Sequence, residues 1–182
     1  MKHILFAAIF TLLAGCVTAP TNDADFGNVS SVFDIQGTYQ NSGEQGSNGA
    51  GYPLYLSTLI WPNHSEIKHA AIELIQVRAI SSKSVVVRAL EKNVVVKEET
   101  FTEGEQFKFR NGRIRLNLEV RIAGFRRGEP VVGPFYENIE LGIDKNGNGK
   151  RRSDGAFVGL VYLMIPVVFA IREDARFVKV AP

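Results

Sequence analysis

Arg113-Ile114-Arg115-Leu116-Asn117-Leu118-Glu119-Val120-Arg121-Ile122 alternates polar and apolar residues over ten consecutive positions. Successive side chains of a β-strand point to opposite faces, so the stretch predicts a strand with one apolar face and one solvated, charged face. Ile139, Leu141 and Ile143 repeat the pattern against Asn138, Glu140 and Gly142, and Ser84–Leu90 and Val94–Phe101 are valine-rich runs of strand length. Between these runs stand turn-forming pairs: Lys92-Asn93, Glu103-Gly104, Asn111-Gly112, Arg127-Gly128 and Asn146-Gly147. Asn-Gly tolerates the positive φ of a type I′ hairpin turn. The expectation is an all-β fold, a single antiparallel meander of roughly eight to ten strands closing as a barrel or a sandwich, which limits exposed edges.

Two segments read less simply. Ile67–Ile80 offers helix-like spacing at Ile67, Ala71, Leu74, Ile75 and Arg78, yet Ile72, Val77 and Ile80 favour a bulged strand, the reading taken here. Ala156–Ile171 runs sixteen residues without a charge. It is shorter than a membrane-spanning helix and holds Gly159 and Pro166 among β-branched residues, so it reads as a strand buried on both faces and bent near Pro166. Asn41–Gly51 is rich in glycine and polar residues and reads as a mobile loop. Tyr52-Pro53 follows it where a phosphate-binding loop needs Gly-Lys-Ser/Thr, so no such loop is assigned.

Few residues carry recognisable chemistry. His64 and His69 lie five apart with no acidic pair to complete a zinc site. Ser30-Ser31 and Ser81-Ser82 lack the context of a nucleophile. Glu98-Glu99 and Glu137/Glu140 fall among lysines and arginines and read as solvated strand faces. Asp144-Lys145-Asn146-Gly147-Asn148-Gly149 matches the first half of an EF-hand loop, but position 12 is Gly155, and Lys150-Arg151-Arg152 crowds positive charge beside any cation. A hairpin turn is the reading taken. No catalytic residue, cofactor or metal site is assigned, and the expectation is a protein that is not an enzyme.

The chain begins Met1-Lys2-His3, continues through an apolar stretch to Leu13, and reaches its one cysteine at Cys16. A short basic start, an apolar core and small residues at the cut are the parts of a secretory signal. Residues 1–15 read as that signal, residues 16–34 as a flexible tether poor in core formers, and residues 35–182 as a β-rich globular domain. Removing residues 1–15 of the 182 leaves 167, a size that builds a core without staples. With a formal net charge of +2, nucleic acid is not an expected partner. With one cysteine, no intramolecular disulfide can form.

Leu13-Ala14-Gly15-Cys16 resembles the lipobox of bacterial lipoproteins. The resemblance implies a diacylglycerol on Cys16, cleavage before it, and fatty acylation of the new amino terminus. Val17 stands where an aspartate would imply retention at the inner membrane, so the resemblance implies the outer membrane, facing the periplasm, in a Gram-negative host. Gly37-Thr38-Tyr39 is similar to the Gly-x-Trp that opens lipocalin barrels, with tyrosine in place of tryptophan. That similarity would have Arg172 or Arg176 pack on the aromatic ring. Two functions follow as expectations. One is a non-catalytic interaction or structural module contacting an envelope protein; the alternative is a carrier of an apolar ligand, a fatty acid or lipid, inside a barrel.

Overall fold

The alternating runs become hydrogen-bonded ladders in the computed structural model, which describes residues 16–21, 23–45, 53–116, 121–123, 131–162 and 164–180. In chain order the strands are β1 (Cys16–Thr18), β2 (Gly37–Gln40), β3 (Ser42–Gln45), β4 (Leu54–Tyr55) and β5 (Leu74–Ser81). Then come β6 (Ser84–Glu91), β7 (Val94–Thr102), β8 (Phe107–Arg110), β9 (Arg113–Leu116) and β10 (Arg121–Ala123). Three long strands follow, β11 (Val131–Ile143), β12 (Gly149–Val161) and β13 (Ile165–Phe177), and then β14 (Lys179–Val180). A short helix, α1 (Leu56–Ile60), and two 3-10 turns complete the described elements. The fold is mainly β, in two antiparallel sheets. One runs β4-β3-β13-β12-β11-β9-β8, with β1 on β13 and β10 on β11; the other runs β14-β2-β5-β6-β7.

The hairpin turns follow the sequence signals. Lys92 and Asn93 both take positive φ, 51° and 63°, between β6 and β7, and Asn111 and Gly112 do so at 53° and 73° between β8 and β9. Two consecutive left-handed residues make the type I′ geometry that matches strand twist.

The chain divides into two compact units. The larger comprises Thr18–Asn117, Ile139–Arg152 and Glu173–Pro182. Its core draws on both sheets: Tyr39, Ile75, Val85, Val87 and Ala89 from the five-stranded one, Phe107, Ile143 and Phe177 from the other, and Trp61 after α1. Trp61 donates its indole N–H to Glu99 at 2.8 Å, which satisfies the one polar atom that this large ring carries inward. Asn41 is also fully buried. Its amide donates to the carbonyls of His69 and Ile72 and accepts from the Ser57 N–H, so all its contacts join β2, α1 and the turn before β5.

The smaller unit comprises Met1–Val17, Leu118–Asn138 and Ser153–Arg172. Within it β12 and β13 form a hairpin. Phe157, buried, stacks on Phe169 at 4.9 Å on one face. Asp154 and Arg172 pair on the other face, and alternation along the strands puts Val158, Leu160 and Val168 on that same side. These three are exposed, as are Tyr162, Met164 and Ile165 around the turn. At Gly159 a Cβ would lie 2.2 Å from the Val132 carbonyl oxygen, so only glycine permits β12 to approach β11 there.

Four readings of the sequence change. Ala156–Ile171 is two strands rather than one bent strand: the reversal comes at Tyr162, which takes φ 50°, and Pro166 continues into β13. Its residues are also largely exposed, where burial on both faces was expected. Asn41–Gln45 is not loop, because Asn41 is wired into the core and β3 pairs with both β4 and β13. Residues 46–52 lie outside the described residues, as do 117–120 of the alternating run and the Arg127-Gly128 turn. Ile67–Ile80 is strand from Leu74 onward, after a 3-10 turn at His69–Ala71. The fourth change concerns the tether.

Candidate functional site: the anchor segment and its clamp

Cys16, the expected lipid attachment residue, opens β1, which pairs with β13. The segment that follows was expected to be a flexible spacer over residues 16–34. The structure instead fastens it to the larger unit from Asp23 onward. Phe26 bridges Asp144 in antiparallel fashion, the Gly27 N–H donates to the Ile143 carbonyl at 2.8 Å, and the Lys145 N–H donates to that of Asp25 at 3.0 Å. Ser31 then caps the 3-10 turn Val32–Ile35 in a capping box with Asp34. Backbone hydrogen bonds from Ser31 and Ser30, with the Ser30 hydroxyl, hold the Asp34 carboxyl below its ordinary pKa. Val32 and Ile35 enter the core. Composition alone could not reveal this, because the hydrogen-bonding partners of Asp23, Asp25 and Gly27 across the clamp lie more than a hundred positions later.

The partners are the basic triplet. Lys150-Arg151-Arg152 was expected to crowd charge at a surface turn, but the Lys150 side chain is 0% exposed. Its ammonium donates to both carboxylate oxygens of Asp23 at 2.6 Å and to Asp174 at 3.2 Å. Arg152 donates to the two oxygens of Asp174 at 2.9 and 3.0 Å and reaches Asp25 at 3.5 Å. Arg151 faces Glu173 at 3.5 Å. Burial alone pushes the Asp174 carboxyl up, but the Arg152 hydrogen bonds and the charges of Lys150 and Arg152 outweigh it and hold Asp174 below its ordinary value.

One aromatic ring gathers two of these cations and Arg113. The Arg113 guanidinium carbon lies 4.3 Å from the Phe26 ring centroid, that of Arg152 5.3 Å, and the Lys150 nitrogen 5.7 Å. The negative face of the ring attracts each of them. Beside it Glu140, 4% exposed, is held by Arg113 and Arg115. Burial raises its carboxyl, and the two arginines outweigh that and bring it below its ordinary value. Glu140 is therefore not on a solvated face, as the alternation had suggested. Glu99 is likewise engaged, by Trp61, and Glu137 accepts from Ser153 at 2.6 Å. Glu98 pairs with Arg88 on exposed strand surface, as the sequence reading had it.

Among the remaining candidates, the Asp144–Gly149 turn meets the clamped segment through its main chain. Oδ1 of Asp144 accepts the Asn146 and Asn148 N–H groups, both at 2.8 Å, and Gly147 takes φ 85°, so the EF-hand-like stretch is a hydrogen-bonded turn. His64 pairs with Glu66. His69 does meet a serine, its Nδ1 lying 3.0 Å from the Ser57 hydroxyl, but Ser57 is fully buried and its N–H is bound by Asn41. Near the Gly37-Thr38-Tyr39 strand the cation over the Tyr39 ring is Lys179, at 5.7 Å. Arg172 and Arg176 pair with Asp154 and Glu44 instead. Burial pushes the Tyr39 hydroxyl up to about 12, and it donates to the Ile35 carbonyl at 2.8 Å. Comparison with protein families, with curated proteins and with solved structures found no match.

Proposed function

We propose that this chain is a lipoprotein of the bacterial envelope, anchored through acylated Cys16 in the outer membrane and facing the periplasm. Its folded part acts as a non-catalytic interaction or structural module that contacts an envelope protein. The observation that carries the reading is the clamp. The segment that follows Cys16 is bound from Asp23 by Lys150 and by main-chain bonds to Ile143 and Lys145, and Phe26 sits among three cations. Such a joint ties the segment that follows the anchor into the fold, which suits a brace better than a shuttle. The alternative, a carrier of an apolar ligand, draws less support, because Trp61, Ile75, Phe107 and Phe177 belong to one buried core cluster of the larger unit. Metabolic labelling with a fatty-acid analogue tests the anchor: label should enter the native protein and be lost in Cys16→Ser. Equal labelling of the two would remove the lipoprotein reading.

A further inference from the structure

We propose that the β12–β13 hairpin dips its apolar end into the same lipid leaflet that holds the acyl chains of Cys16. The inference rests on the anchor proposed above and adds a second, non-covalent membrane contact. Residues 156–171 carry no charge, and the run is bounded at its base by the Asp154–Arg172 ion pair. Beyond that pair one face of the hairpin presents Val158, Leu160 and Val168, and the turn presents Tyr162, Met164 and Ile165. Met164 is 79% exposed, Tyr162 68% and Val168 58%, values at which side chains of this kind forfeit most of their burial free energy in water. A contiguous apolar face of this kind marks an interaction surface.

The occupant follows from what lies beside it. β1, which begins at Cys16, pairs with β13, and Cys16 belongs to the same compact unit as the hairpin. Paired strands lie about 4.8 Å apart, so the backbone that begins at Cys16 runs beside the strand that contains Ile165 and Val168. A thioether-linked diacylglycerol keeps that cysteine at the headgroup level, and the hairpin must then meet lipid or leave its apolar face against a wet interface. The base ion pair, with one charge from each strand, stays on the water side.

Since Cys16 is the only cysteine and its thiol is consumed by lipid, an introduced cysteine gives a unique label site in the mature lipidated protein. Val168→Cys, and Lys83→Cys in the exposed turn between β5 and β6 as a reference, are labelled with an environment-sensitive fluorophore. Each is reconstituted in phosphatidylethanolamine–phosphatidylglycerol vesicles. The expected result is blue-shifted emission at residue 168, quenching by nitroxide-labelled lipid, and loss of quenching by aqueous iodide. The residue 83 label should behave oppositely. A residue 168 label open to iodide, on protein whose mass shows acylated Cys16, overturns the hairpin inference and leaves the anchor standing. Shielding from iodide without lipid quenching, together with cross-linking of residue 168 between copies, overturns it in favour of a dimer. Absence of acyl mass on Cys16 removes the anchor and this inference with it.

Discussion

Replacing Lys150 by methionine keeps the length and apolar stem of the side chain and removes its charge. Three charge-assisted hydrogen bonds go, two to Asp23 and one to Asp174. Bonds to charged groups contribute about 1.5–3 kcal/mol each, but the losses do not simply add. Asp174 keeps both bonds from Arg152, and the Asp23 side chain, 17% exposed, can turn to water. Against this, the methionine carries no desolvation cost of its own. Removing one partner of a buried ion pair typically costs about 3–5 kcal/mol, and the partial rescue places Lys150→Met at the lower end, about 3 kcal/mol. For a chain of this size that corresponds to a fall in Tm of roughly 6–12 °C. Urea is the denaturant to use, since guanidinium would screen the pairs under test. Asp23→Asn and the double variant complete a cycle, with an expected coupling of about 1–3 kcal/mol. Hydrogen exchange at the Gly27 and Lys145 amides should accelerate in each single variant, because both amides hold the clamped segment. A loss under about 1 kcal/mol with unchanged exchange at Gly27 would refute the clamp as a source of order.

Two further outcomes concern the same cluster and its neighbour. Asp174 and Glu140 both have folded pKa values below their ordinary ones, so the stability they contribute is present above the unfolded carboxylate range and is lost as pH falls through the folded values. Urea midpoints should therefore hold near neutrality and drop progressively below about pH 4.5; a midpoint that is flat or rises towards pH 3 would contradict it. Arg115→Asp should cost about 2–4 kcal/mol in the same melts, since it sets a carboxylate beside buried Glu140, whereas Arg88→Ala at the exposed Glu98 pair should cost under about 1 kcal/mol. Equal losses at the two positions would mean that Glu140 is not electrostatically isolated from water.

The alternation from Arg113 onward, the valine runs and the Lys92-Asn93 and Asn111-Gly112 turns were enough to read an antiparallel β fold, because side-chain period and turn chemistry are local properties. What those signals could not convey is which face meets a third strand. Arg113, Arg115 and Glu140 look like a solvated face along the chain, yet β9 and β11 bring the two arginines onto a buried Glu140. Residues 23–27 failed for the same reason: Asp23 and Asp25 become ordered through Lys150 and Arg152, and no periodicity links positions so far apart. Ala156–Ile171 misled differently. A charge-free run signals removal from water, and an apolar face can be removed from water by something other than the protein's own core.

The pairing of β14 with β2 has a consequence for how the chain comes to be folded. Lys179 and Val180 lie against Tyr39 and Thr38, and β13 lies against β3. The five-stranded sheet thus lacks one edge strand until Lys179–Val180 is in place, and contacts of such long sequence separation form late and slowly. A chain delivered amino end first, as synthesis delivers it, presents residues 37–40 long before residue 180 arrives. Over that interval the hairpins β5–β6–β7 can assemble from neighbouring sequence, while the closing strand cannot. The sheet stays open at that edge until the strand Lys179–Val180 arrives, and that arrival is what permits it to lock.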